Sequence, residues 1–270
     1  MCGACHATQA PPSYADEDDA MTRGKLFWII PALLSLALVA CNHQTKEVKN
    51  YQGEASRDLG EAYMQEGNYS AALRELLKAE KSLPKDPFVQ NDLGLVYMAK
   101  NRPDLSVPYF KKAIALNPDY APARNNLGTA YLALKKWDLA IETFQSLSED
   151  LLYASPHLPL TNLGWAYFNK RDFPISVKYY KAAIHNNPNF VPAYRGLGQT
   201  YLAMNRFAEA IESFEKGLEI APRFAPLYLN LADAYTASQN RPAAIETYKK
   251  VIALFPSTEY AETAKQMLGD

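Results

Sequence analysis

At 270 residues, with 48% hydrophobic and 21% charged side chains, the chain has globular composition and is long enough to bury a sizeable core. The formal net charge of −1 hides one local bias: residues 1–40 set Asp16, Glu17, Asp18 and Asp19 against only Arg23 and Lys25. Signs mix evenly elsewhere and no basic stripe emerges, so no footprint for nucleic acid is present. All three cysteines, Cys2, Cys5 and Cys41, sit near the N-terminus, which leaves the body without a disulfide, a thiolate nucleophile or a Cys-ligated metal site.

From Met21 the sequence reads MTRGKLFWIIPALLSLALVAC. Arg23 and Lys25 form a short positive region, and the apolar run 26–40 has the length of a secretory h-region, short of the ~20 residues a membrane helix needs. Pro31 weakens a spanning helix further. The run closes on Leu38-Val39-Ala40-Cys41, which resembles the bacterial lipobox. That resemblance implies cleavage before Cys41, lipidation of its sulfur and, with Asn42 following, carriage to the outer membrane facing the periplasm. The expected organisation is a misassigned start or disordered extension over 1–20, a lipoprotein signal peptide over 21–40, and a lipidated cysteine with a flexible polar tether over 41–52. An acidic stretch ahead of a signal peptide is unusual, so translation is expected to begin at Met21. A peptide from residues 1–20 in the mass spectrum of the unprocessed precursor would overturn that start. Cys2-Gly3-Ala4-Cys5-His6 matches the C-x-x-C-H haem-attachment spacing, which leaves a c-type haem protein as a reading of a different class. It lies on the cytoplasmic side of the export signal and is lost on processing, so no cofactor is expected.

Beyond residue 52 one pattern governs the chain. Small residues following leucine recur at Gly60, Gly94, Gly128, Gly164, Gly198 and Ala232, at intervals of 34, 34, 36, 34 and 34. A tyrosine stands three residues after each, from Tyr63 to Tyr235. Ala or Ser follows at twelve residues, and at sixteen come Leu76, Phe110, Phe144, Tyr180, Phe214 and Tyr248. Glycine inside a helix costs about 1 kcal/mol relative to alanine, so its recurrence needs a compensating close approach; the Ala/Ser surface is expected to supply it, with the aromatic side chains filling the space between hairpins. Gly67-Asn68, Asn101-Arg102, Asn205-Arg206 and Asn240-Arg241 mark the turns within units. Pro118-Asp119 and Pro188-Asn189 are expected to stop one helix and cap the next.

This array is identified as a member of the tetratricopeptide-repeat (TPR) family. The resemblance implies an all-α fold, an α-solenoid of six TPR helical hairpins (53–86, 87–120, 121–156, 157–190, 191–224 and 225–256) with a capping helix over 257–270. Tyr260, Ala261, Ala264, Met267 and Leu268 are expected to cover the sixth unit, with Glu259, Glu262 and Lys265 outward, while the first unit must cap itself. The third unit is two residues longer and carries Leu147 and Leu152 where others have a small residue and proline. Its second helix is expected to run on to near Tyr153; the insertion is either neutral or bends the array into two arcs of three.

That junction, Asp150-Leu151-Leu152-Tyr153 followed by Asn162-Leu163-Gly164, resembles the type IV pilus TPR lipoproteins of the PilF/PilW/Tgl kind. This chain departs from them in lacking the basic stretch after that motif and in Ala154 where proline is usual. The resemblance implies a membrane-anchored scaffold assisting assembly or localisation of an outer-membrane secretin. The alternative partner set is periplasmic proteases or peptidoglycan enzymes, as for NlpI-type lipoproteins.

No catalytic or metal constellation stands out. His43 falls in the tether, His157 in the irregular loop and His185 at a helix end, and there is no phosphate-binding glycine loop. The working surface expected of such an array is the concave groove lined by the first helices. Asn125, Asn126, Asn162, Trp165, Phe168, Arg195, Gln199 and Asn230 are its candidate partner-binding residues, with Asn91, Thr129 and Asp233 at equivalent positions. Asparagines can satisfy an extended peptide backbone, Arg195 can take a carboxylate, and Trp165 with Phe168 offers an apolar anchor.

Overall fold

The computed structural model describes residues 47–150 and 154–269; the signal segment, Cys41, the C-x-x-C-H pattern and Tyr153 lie outside the described residues. Six helical hairpins follow one another: α1 (47–65) with α2 (Tyr69–Ser82), α3 (Pro87–Ala99) with α4 (Pro103–Leu116), α5 (Ala121–Ala133) with α6 (Trp137–Ser148), α7 (His157–Asn169) with α8 (Phe173–Asn186), α9 (Val191–Ala203) with α10 (Phe207–Ile220), and α11 (Ala225–Ala237) with α12 (Arg241–Leu254). A last helix, α13 (Glu259–Leu268), packs on α12 and α11. From α3 to α11 the first helices also touch one another in sequence, which sets them side by side along one face of the solenoid.

The second to fifth hairpins are each closed by a ring lying in a notch. A Cβ built on Gly128 would fall 2.5 Å from the Phe144 ring, and Gly94, Gly164 and Gly198 meet Phe110, Tyr180 and Phe214 in the same way. No side chain fits there, which explains why glycine recurs inside these helices despite its cost. The partner differs from the expected one: the ring sixteen residues on fills the notch, while the small residue at twelve is buried beside it, Ser176 donating to the Gly164 carbonyl at 2.8 Å. These rings are essentially solvent-free and carry ~150–250 Å² of burial each.

The turns inside the units need a left-handed residue, supplied in order by Gly67, Asn101, Lys135, Arg171, Asn205 and Gln239. Asn101 and Asn205 sit where the sequence placed the turn, whereas Lys135 and Arg171 hold φ near 60° without the local hydrogen bonding that makes Asn tolerant. In the sixth unit the left-handed residue is Gln239, and Asn240 instead caps α12 by accepting from the Ala243 N–H. Between units, Asp119 and Asn189 do not cap the following helices. The N-cap positions are Tyr120 and Phe190, and the turns are held by Asn117 and Asn187, whose side chains accept from the N–H of Asp119 and Asn189.

Several expectations require correction. Residues 47–52, assigned to the flexible tether, are already helical in α1. The second helix of the third unit stops at Ser148, short of Tyr153. Consecutive acids at Glu149 and Asp150 oppose the negative end of a helix, and Arg124 of α5 draws Asp150 into an ion pair. Packing does not break at this junction, because Phe144 of α6 shares one core cluster with Leu163 and Ala166 of α7. On α13, Ala261 and Ala264 are buried and Tyr260 and Leu268 join the core, but Met267 is 54% exposed. The first unit does not cap itself: Leu59 is 44% exposed, with Ala55 and Ala62 beside it also exposed, whereas the equivalent Leu93, Leu127, Leu163, Leu197 and Leu231 are buried.

Gly128→Ala should destabilise the array by about 1–3 kcal/mol through overpacking against the Phe144 ring. Denaturation of Gly128→Ala, Phe144→Leu and the double variant measures their coupling. The double variant should lose less than the two singles together; full additivity would show that the ring is not what the glycine accommodates.

Candidate protein-binding face

On the first helices, two pairs of neighbouring units are cross-linked by side chains. In each, the residue three places before one small residue meets the residue two places before the next. Asn126 Nδ2 donates to Asn91 Oδ1 at 2.9 Å, and Arg195 Nε donates to Asn230 Oδ1 at 2.9 Å. In the first pair of units the same two positions hold Arg57 and Asp92, the guanidinium acting to lower the carboxyl's pKa. Asn91, Asn126 and Asn230 are thus engaged in linking units, and Asn91 is buried. Asn125 is also turned inward, its Oδ1 shut off from water. Asp233 accepts from the Tyr248 hydroxyl at 3.1 Å, and burial pushes its pKa up.

The cross-link is not made everywhere: Asn125, paired by position with Asn162, has its Oδ1 without a hydrogen-bond partner, and the next pair lacks one of the two side chains. Between the fourth and fifth units the two positions are Thr161 and Gly196, and glycine offers nothing to bond. Gly196 is required there because Tyr180 rises from the core against it: an added Cβ would lie 2.3 Å from the ring and 2.6 Å from the hydroxyl. The gap opens as a cavity of about 300 Å³ lined by Thr161, Asn162, Trp165, Tyr180, Pro192, Arg195, Gly196 and Gln199. Four sequence candidates, Asn162, Trp165, Arg195 and Gln199, are therefore brought together. Phe168 lies behind them, its ring stacked on Trp165 with centroids 5.5 Å apart. Trp165 remains 41% exposed and holds that position through the stack rather than through the core. Asn125, Asn126 and Asn230 fall outside the cavity, and Thr129 is exposed on another turn. Cavities of this kind, one aromatic wall with a few convergent polar groups, suit capture of a side chain and its flanking peptide bonds.

Sequence reasoning missed Thr161, Tyr180 and Pro192 as lining residues. It also missed Asp92, whose signal was a carboxylate in the column where Asn126, Asn162 and Asn230 stand in other units. Asp92 is 9% exposed, and burial, with the Glu61 carboxylate nearby, pushes its pKa to about 7. Of the histidines in the repeats, His157 is used in an edge contact with the Phe190 ring, centroids 4.7 Å apart, and His185 is exposed in the last turn of α8. Among the described residues no group of three or more His, Cys, Asp or Glu is placed to hold a metal ion.

Because the Asp92 carboxyl binds its proton more tightly in the folded chain, its contribution is complete below pH 4 and is lost as pH climbs towards 7. Unfolding free energies measured by denaturation from pH 4 to 8 should fall with a slope of up to about 1.4 kcal/mol per pH unit from this group. Asp92→Asn should flatten that segment of the profile; an unchanged slope would refute the assignment.

Comparison with known proteins follows the same outline. A tetratricopeptide-repeat family model matches residues 91–150 and 161–226, and a second matches 203–268, together spanning more than half of the chain. No curated protein sequence matches significantly. Among solved structures, PilW, described as a widely conserved type IV pilus biogenesis factor, superposes with a TM-score of 0.72 at 24% identity, covering 78% of this chain and 97% of PilW. PilF of Pseudomonas aeruginosa gives 0.65 at 20% identity, covering 81% and 99%. YrrB, a TPR protein with an unusual peptide-binding site, gives 0.51 at 20% identity over 71% and 97%. With the repeat models matched and the hairpin geometry recurring throughout, the chain belongs to the tetratricopeptide-repeat family.

Proposed function

We propose that this protein is an outer-membrane lipoprotein, anchored through Cys41 and facing the periplasm, that binds an outer-membrane secretin and assists its assembly or localisation in type IV pilus biogenesis. The observation that carries this reading is the coextensive match with PilW, in which one array of repeats accounts for 97% of that pilus factor's chain. The Leu-Val-Ala-Cys ending of the apolar segment supports the anchor, since two or three acyl chains at ~0.8 kcal/mol per buried methylene hold a protein at a bilayer effectively permanently. Among the described residues no helix is long and apolar enough to cross a membrane.

In this reading the Trp165 cavity receives an extended segment of the secretin. Trp165 contributes an apolar wall, Gln199 and Asn162 meet peptide groups, and Arg195, already bonded to Asn230 through Nε, points the remaining face of its guanidinium at an acidic group or a carbonyl.

Two experiments test the two halves. Cys41→Ser should abolish palmitate labelling and move the protein out of the membrane fraction; a retained membrane pool would overturn the anchor. In a deletion strain, SDS-resistant secretin multimers should be lost and restored by the wild-type gene. Trp165→Ala with Gln199→Ala should accumulate normally, melt normally, and restore fewer than about a tenth of the multimers, consistent with the loss of one or two hot-spot contacts. Full restoration by that variant would rule out the cavity, and multimers that persist in the deletion strain would rule out the secretin role.

A further inference from the structure

At the opposite end of the same face, groups from three successive first helices converge on one point. Arg57 and Glu61 come from α1, Asp86 and Asp92 from the start and body of α3, and Tyr120 from the N-cap of α5. Arg57 lies 3.3 Å from Glu61 and 3.6 Å from Asp86, and it also meets Asp58 at 3.2 Å. Tyr120 senses all of them: burial and the negative charges of Asp92, Glu61 and Asp86 raise its pKa, and Arg57 opposes them. Phe88, 46% exposed, meets Tyr120 edge-on with ring centroids 5.0 Å apart.

Negative groups outnumber the cation here. A single guanidinium serves Asp58, Glu61 and Asp86, and Asp86 is further committed to capping α3 through the N–H groups of Phe88 and Val89. Among the described residues, Asp92 Oδ1 accepts a long contact from Asn91 Nδ2 at 3.4 Å, and the Asp92 carboxyl shares a hydrogen bond with that of Glu61 when protonated. Its Oδ2 is shut off from water without a donor, beside the Glu61 carboxyl. A carboxyl buried next to another carboxylate and lacking a donor is a costly arrangement, and what relieves it is either a proton or a positive charge brought from outside.

We propose that this cluster is a subsite for a cationic side chain, arginine or lysine, of a polypeptide lying along the first helices. Glu61, which is exposed, takes the charge, with the buried Asp92 carboxyl beneath it adding to the attraction, and the Phe88–Tyr120 pair offers an aromatic wall for the flat face of a guanidinium or the stem of a lysine. The subsite rests on the reading that this face binds polypeptide, but it does not depend on the Trp165 cavity or on the identity of the partner. A proton on Asp92 removes the charge beneath Glu61, so capture of the cation favours release of that proton and tightens as pH rises through the range in which Asp92 titrates.

The test uses the full chain and two short peptides, Ser-Gly-Arg-Gly-Ser and its citrulline analogue, titrated by NMR between pH 5.5 and 8. At pH 8 the arginine peptide should bind at least ten-fold more tightly than the citrulline peptide, and the ratio should shrink as pH falls to 5.5. Glu61→Gln should weaken the arginine peptide at least five-fold; because Glu61 is exposed, this variant probes the subsite without disturbing the core. Asp92→Asn should weaken it similarly and remove the pH dependence, while Trp165→Ala should leave it unchanged. Equal binding of arginine and citrulline, or unaltered affinity in Glu61→Gln, overturns the subsite and leaves the cavity reading standing. Loss of binding in Trp165→Ala overturns the claim that the two sites are separate.

Discussion

The structure depends on one contact made repeatedly: in the four inner hairpins, a ring from the second helix is seated where the first helix has no side chain. The contact is steric before it is hydrophobic. With under 3 Å between ring and would-be Cβ, the two helices approach more closely than any other residue at that position would permit. Close approach fixes the crossing of the pair, and a fixed crossing allows identical units to stack without strain accumulating. The first unit, where Leu76 replaces the ring against Gly60, and the sixth, where Ala232 stands opposite Tyr248, use weaker versions of the same fit at the two ends of the array.

The first helices then carry a second, polar regularity. Two pairs of side chains tie neighbouring units across the face, Asn126 to Asn91 and Arg195 to Asn230. The two proposed sites lie where those cross-links are absent. Where glycine interrupts the pattern, at residue 196, a cavity opens beside an exposed tryptophan. Where an acid replaces asparagine, at residue 92, a carboxyl is buried with one oxygen lacking a hydrogen-bond partner. Function in a repeat protein is concentrated where one unit breaks the rule that the others keep, because packing positions are constrained while the face is not.

Much of this was legible in the sequence, and the remainder had identifiable reasons for being hidden. The 34-residue period, the five glycines and the aromatic positions specified six hairpins and a closing helix, since each recurrence averages away local ambiguity. What period alone cannot tell is which of two small-residue columns a ring will occupy, so the glycine was matched to the wrong partner. The left-handed turns at Lys135 and Arg171 escaped notice because neither residue type carries a turn signal; tertiary packing of the flanking helices imposes the conformation. The end of α6 was placed too late for a similar reason, its stop being set by an ion pair to a residue 26 positions earlier. On the face, the candidates all lie on first helices, and the sequence does not separate residues that hydrogen-bond to the next unit from residues that line space. That distinction turns on what stands opposite, which for Arg195 is Asn230 and for Thr161 is only a hydrogen atom.

Tyr180 links these two layers. The same ring fills the notch at Gly164, presses on Gly196 of the following unit, and forms the floor of the cavity. Recognition on the outside is consequently shaped from the inside: depth and polarity beneath Trp165 are set by a side chain that belongs to the hydrophobic interior and carries a hydroxyl at its tip. A lineage could retune what the cavity admits by exchanging tyrosine for phenylalanine at that one interior position, leaving every solvent-facing residue of the groove as it was.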